Sequence, residues 1–242
     1  MFIAGFPAGP LAANCYFAAI DGGRKCVIVD PGQSSAEGIA KLIEEHRLEP
    51  AAVLVTHGHF DHMWQAAEVA DRYDAPLWIH PADRHLLTDP MAAISQESGT
   101  MLRQQLGMTE IPDFAEPGQV REAVEGARIE VDGLTLVVDH VPGHTPGTVV
   151  YRMEYDGPED VSQVMFSGDF LFQGSIGRTD LNGGDHAQMR NSLTKKVLPL
   201  TDDIVVLPGH GEQTSIGRER ATNPFLADLP AAPDPQNGSA TE

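Results

Sequence analysis

The six residues His57-Gly58-His59-Phe60-Asp61-His62 bring three imidazoles and a carboxylate into one short stretch of chain. They follow an apolar run at 51–55 that fits a buried strand, and they precede a segment that reads as a helix. In extended backbone, side chains at i and i+2 point the same way, so His57 and His59 can grip one ion. The turn into the helix then aims Asp61 and His62 at a second position beside it. Imidazole suits zinc, iron and nickel, and a neighbouring carboxylate adds affinity for zinc, iron or manganese. Three later residues share the same local setting, a glycine-flanked turn after an apolar strand: His144 in Pro142-Gly143-His144, Asp169 in Ser167-Gly168-Asp169, and His210 in Pro208-Gly209-His210. Sheets gather ligands at their strand ends. Seven candidate ligands exceed a closed tetrahedral zinc site and suit two ions that share a bridge.

The elements that must position these residues alternate between strand and helix. A hairpin is expected from strands at 14–20 and 25–29, then a helix capped by Ser35 with Ile39, Leu42 and Ile43 on its apolar face. Beyond the histidine turn the pattern predicts a helix at 64–73, a strand at 77–79 and a helix at 81–87 with proline in its first turn. Residues 88–126 are irregular, broken by Pro112 and Pro117, and read as an inserted flap. A second hairpin follows at 128–131 and 134–141, joined by Asp132-Gly133. Strands at 148–155, 164–167 and 204–207 and a helix at 186–197 complete the pattern. Such an order suggests two sheets with helices outside. One domain is expected over 1–229, with a disordered, proline-rich tail at 230–242.

Composition narrows the partners. Sixteen basic against 35 acidic residues give a net charge of −19 over 242 residues, which disfavours nucleic-acid binding. No apolar run reaches the roughly 18 residues of a membrane span, and no basic stretch opens a secretory signal, so a cytoplasmic protein is expected. Cys15 and Cys26 lie in neighbouring strands, but a tight turn at Asp21-Gly22-Gly23-Arg24 pairs Cys15 with the region of Asp30; both are expected as reduced core residues.

The spacing His57-x-His59-x-Asp61-His62, followed by His144, Asp169 and His210, resembles the metallo-β-lactamase superfamily over nearly the whole chain. The resemblance implies an α/β fold, the αββα sandwich, with metals at one edge between the sheets. It implies one ion on His57, His59 and His144, another on Asp61, His62 and His210, and Asp169 bridging both. Asp30, in Val29-Asp30-Pro31-Gly32, matches an acid that supports the histidine loop. Within the superfamily, Gly177-Arg178-Thr179-Asp180 and the ending 217–226 are similar to short glyoxalase II-like hydrolases. The helical C-terminal domain with which classical glyoxalase II holds glutathione has no counterpart in the roughly 30 residues after His210. Aspartate at 169 also departs from those β-lactamases that place cysteine at the bridging position.

The expected activity is therefore a binuclear metal-dependent hydrolase with two divalent ions, zinc first and iron or manganese as alternatives. Its substrate would be a small thioester of the S-lactoylglutathione type, attacked by a hydroxide bridging the metals. A thiolate with a pKa near about 8.5 leaves without a general acid. Asp61 and Asp169 act on the chemistry as ligands, and Arg178 is the candidate for binding a substrate anion. Three alternatives differ in class. A mononuclear Fe(II) persulfide dioxygenase would use only His57, His144 and Asp169; a metal-binding module would catalyse nothing; a nuclease is disfavoured by the acidic charge.

Overall fold

Successive side chains of a strand point to opposite faces of its sheet, and burial of both faces of the central strands builds the layers. The computed structural model describes residues 1–94, 100, 112–157 and 160–229. One six-stranded sheet runs β1 (Phe2–Ala8), β2 (Ala13–Ala19), β3 (Lys25–Val29), β4 (Glu49–Leu54), β5 (Leu77–Ile79), β6 (Val120–Glu122). Its first three strands are antiparallel and β3 to β6 are parallel. The second holds β7 (Arg128–Val131), β8 (Leu134–His140), β9 (Val149–Glu154), β10 (Gln163–Gly168), β13 (Val205–Pro208) and β14 (Thr214–Ser215). A small hairpin, β11 (Leu171–Phe172) with β12 (Ser175–Ile176), lies between β10 and β13 in the chain.

Val27, Val29 and Leu54 of the first sheet pack against Leu136, Val138, Tyr151 and Phe166 of the second, forming the central core. The alternate residues Cys26, Ile28 and Val53 face outward, into a cluster with Ile39 of α1 (Ala36–His46) and Val69 of α3 (Ala66–Arg72). Val150, Met165 and Val206 do the same on the other side, against Met189 and Leu193 of α4 (His186–Lys196). The result is the αββα sandwich, with every central strand covered on both faces. Phe166 is fully buried, and its truncation to alanine should cost about 3–5 kcal/mol. No helix among the described residues is long and apolar enough to cross a membrane.

The structure revises several local expectations. Strand β1, unread in the sequence, pairs with β2 along its whole length; Pro7 and Gly5 are tolerated because it is a sheet edge. The helix expected at 64–73 is observed as α3, two residues shorter at its start, and a separate short α2 (Phe60–Met63) precedes it across a break at Trp64 and Gln65. Gln65 is drawn aside: its N–H donates to the Pro31 carbonyl at 3.0 Å, and its side-chain oxygen accepts from Ala36 N at 2.8 Å. Gln65 thereby caps α1, the role expected of Ser35, whose side chain makes no cap bond. The helix at 81–87 shrinks to one 3₁₀ turn, Arg84–Leu87. Within the stretch read as a flap, Pro90–Ala93 forms another 3₁₀ turn and β6 joins the first sheet, while 95–99 and 101–111 lie outside the described residues, as does the tail at 230–242. Both cysteines are buried and free, and the register Tyr16↔Val29 carries Cys15 toward Asp30.

Candidate active site

Four strands deliver the cluster to one edge of the sandwich. The turn after β4 carries His57 to His62, and the turns after β8, β10 and β13 carry His144, Asp169 and His210. All seven predicted ligands converge. Ligand atoms of His57, His59 and His144 lie within 4.8 Å of one another, as do those of Asp61, His62 and His210. His57 Nε2 and His144 Nε2 are 3.2 Å apart, and so are His62 Nε2 and His210 Nε2. Asp169 stands between the groups, with Oδ2 at 3.6 Å from His144 Nε2 and 3.7 Å from His210 Nε2. Its Oδ1 lies 3.3 Å from His62 Nε2. Asp61 Oδ2 is 3.2 Å from His210 Nε2.

This donor set fits divalent cations. His59 Nε2 and Asp169 Oδ1 are buried without a hydrogen-bond partner, which is costly unless another group completes them. Paired ring nitrogens facing each other at 3.2 Å are donors to a common centre more readily than to each other. Charge points the same way. Burial holds His57 well below its usual range and His59 down to about 3, so both keep lone pairs free at neutral pH. Burial opposes charge on His62 and His210 too, yet Asp169 and Asp61 outweigh it and raise both. Burial likewise resists ionisation of Asp61 and Asp169, but the surrounding histidines bring both below the usual carboxylate range. The carboxylates thus call for positive charge at this spot.

Outer contacts fix which nitrogen faces inward. His62 Nδ1 lies 2.9 Å from Asp30 Oδ2 and His144 Nδ1 lies 2.7 Å from the Arg178 carbonyl, so both present Nε2 to the cluster. Asp30 also accepts from Thr56 N and Thr56 Oγ1, at 2.7 and 2.6 Å. Thr56 was not legible as part of the site, because an unremarkable threonine at a strand end carries no signal of its own. At Gly209 the backbone approaches so closely that a Cβ would stand 2.3 Å from Asp169 Oδ1 and 2.6 Å from His62 Cε1.

Arg178 behaves differently from the ligands. Its guanidinium makes two bonds of 2.7 Å to Asp180, with both side chains largely exposed, and only its carbonyl reaches the cluster. His80 and His140 stack on each other, ring centroids 4.0 Å apart, and belong to none of the ligand groups found among the described residues.

Known proteins resemble the chain along most of its length. An uncharacterized protein of Mycobacterium tuberculosis is 45% identical over 230 residues, 95% of this chain and 99% of its own. A hydroxyacylglutathione hydrolase of Haemophilus influenzae is 36% identical over 207 residues, 85% of this chain and 89% of its own. Among solved structures, the BLEG-1 B3 metallo-β-lactamase superposes with a TM-score of 0.74 at 36% identity, covering 93% of this chain and 99% of that one. The protein TTHA1623 in a di-iron-bound form gives 0.71 at 36% identity, covering 93% and 100%. Residues 8–210 match the family model of the metallo-β-lactamase superfamily, and with the sandwich and its edge cluster in place the chain belongs to that superfamily.

Proposed function

We propose that this protein is a binuclear metal-dependent thioesterase acting on small S-acyl-thiols of the hydroxyacylglutathione type. The observation that carries the binuclear reading is the placement of Asp169 Oδ2, almost equally far from His144 and His210 and so from both ligand groups. The first position is assigned to His57, His59 and His144, and the second to Asp61, His62 and His210, with Asp169 shared. Zinc is the first candidate and iron the second, the latter supported by the di-iron relative. Bound as a pair, such ions would supply Lewis acidity toward a carbonyl oxygen and bring a water's pKa down toward neutrality.

The chain's own residues set the rest. His57, His59, His62 and His144 are at most 5% exposed, whereas His210 is 30% exposed at its side chain, so substrate reaches the cluster from the His210 side. Phe172 lies beside that opening, its ring centroid 6.3 Å from that of His210. Because the carboxylates and imidazoles of the cluster are spent as ligands, a leaving group that needs no proton is favoured. A thiolate meets that condition. The hydroxyacylglutathione hydrolase relative supports the same substrate class. Arg178 is assigned to the substrate's anionic end, reached when the guanidinium exchanges Asp180 for a carboxylate of similar geometry. A β-lactam is the second reading, favoured by the 36% identical B3 relative. Hydrolysis of S-lactoylglutathione, followed beside that of a β-lactam by the zinc-loaded chain, decides between them. Turnover of the β-lactam alone would overturn the thioesterase reading.

A further inference from the structure

A second buried carboxylate, remote in sequence from every candidate ligand, ties together the two loops that carry His57, His59 and His144. Asp83 lies just before the 3₁₀ turn Arg84–Leu87 and is fully buried. Its Oδ2 accepts from Gly58 N at 2.9 Å and from Thr145 Oγ1 at 2.6 Å, and its Oδ1 accepts from Gly147 N at 2.8 Å. Gly58 sits between His57 and His59, and Thr145 follows His144. Among the described residues no lysine, arginine or histidine forms a salt bridge with this carboxylate, and its hydrogen bonds come from two backbone amides and one hydroxyl. Burying such a group is expensive unless each lone pair is used.

The loops have adapted to it. At Gly147 any Cβ would stand 2.5 Å from the Asp83 carboxyl carbon, so the backbone can approach only as glycine. Thr145 is held in turn by Thr148, whose hydroxyl accepts from Thr145 N at 2.9 Å and lies 2.8 Å from Thr145 Oγ1. Asp30, the buried acid that meets a candidate ligand directly, serves a different side: it contacts His62 and reaches His57 only through the Thr56 hydroxyl, 3.1 Å from His57 Nδ1.

We propose that Asp83 is a positioning residue for the first metal position alone, holding the His57–His59 turn and the His144 turn at chelating distance. This role rests on the two-metal reading above. Its consequence is selective. Without Asp83 the three imidazoles of the first position lose their mutual register, while Asp61, His62 and His210 keep theirs.

Single-position backgrounds test that selectivity without any assay of activity. His210→Ala leaves the first position as the better site, and His59→Ala leaves the second. Zinc affinity is measured by competition with a chromophoric chelator, with Asp83→Asn added to each background. The carboxamide keeps the volume and one acceptor oxygen but turns an N–H₂ toward donors. Affinity should fall about tenfold or more beside His210→Ala and stay within about twofold beside His59→Ala. Asp83→Ala should fall further than Asp83→Asn in the first background. Equal loss in both backgrounds, or loss in neither, overturns the proposal and leaves the two-metal reading standing. If Asp83→Asn fails to fold, Thr145→Val removes a single donor and should show the same one-sided loss at smaller size, with a two-sided or absent loss again counting against Asp83. Failure of the wild-type chain itself to bind zinc would overturn the metal reading, and the Asp83 role with it.

Discussion

The two sheets contribute to the cluster in opposite ways. The first supplies His57, His59, Asp61 and His62 from one short segment, the turn after β4 and the helix α2 that follows it, whereas the second supplies His144, Asp169 and His210 from three turns far apart in the chain. In the first case the chain's own geometry does the gathering: an extended i, i+2 pair followed by the start of a helix. In the second the sandwich does it, by ending β8, β10 and β13 at a common edge. A contiguous donor set tolerates loosening of the fold better than a dispersed one, and the dispersed half holds Asp169, the residue proposed to be shared by both positions. Substitutions in the second half should therefore be costlier than their individual contacts suggest.

Asp169→Asn should break this arrangement most severely. It keeps the shape but halves the charge balance of two cations, and we expect the loss of at least one ion and a fall in turnover of about a hundredfold or more. Full metal occupancy with near-normal turnover would remove Asp169 from the shared position.

Asp30→Asn tests the contiguous half. The substitution disturbs an acceptor of His62 Nδ1 and of both Thr56 donors, so metal affinity should drop about tenfold to a hundredfold. Stability of the metal-free chain should fall by about 1–3 kcal/mol, read from denaturant unfolding. An unchanged midpoint and unchanged affinity would show that the histidine turn holds itself.

The smallest effect is expected at Arg178, whose exposed, solvent-screened pair with Asp180 adds little to stability. If it also clamps an anionic acyl-thiol, Arg178→Ala should raise KM for that substrate about tenfold, with metal content unchanged and a neutral thioester unaffected. Steady-state kinetics on both thioesters separate the roles, and equal behaviour of the two would leave Arg178 as a surface pair.

Legibility in the sequence follows the same division. The residues of the cluster could be singled out because histidine and aspartate beside glycine at strand ends are chemically conspicuous, and most strands could be read from short apolar runs such as Val27-Ile28-Val29. Asp83 could not, because its partners are two backbone amides and a threonine hydroxyl 25 to 64 positions away, which no local pattern encodes. Gln65 misled for a related reason. Its propensity is helical, but a tertiary contact with Ala36 and Pro31 breaks the helix there. Strand β1 was hidden by Pro7 and Gly5, residues that discourage a central strand and are harmless at an edge.

Thioester hydrolysis is proposed to require two divalent ions at this edge. The most direct test strips the chain with a chelator, returns zinc in measured steps, and follows ions bound per chain together with hydrolysis of S-lactoylglutathione and oxygen uptake on a persulfide. The expected results are no hydrolysis in the stripped chain, recovery that saturates at two ions per chain, and no oxygen consumption. A chain that holds a single iron and consumes oxygen on the persulfide, or one that hydrolyses the thioester at full rate without metal, would contradict it.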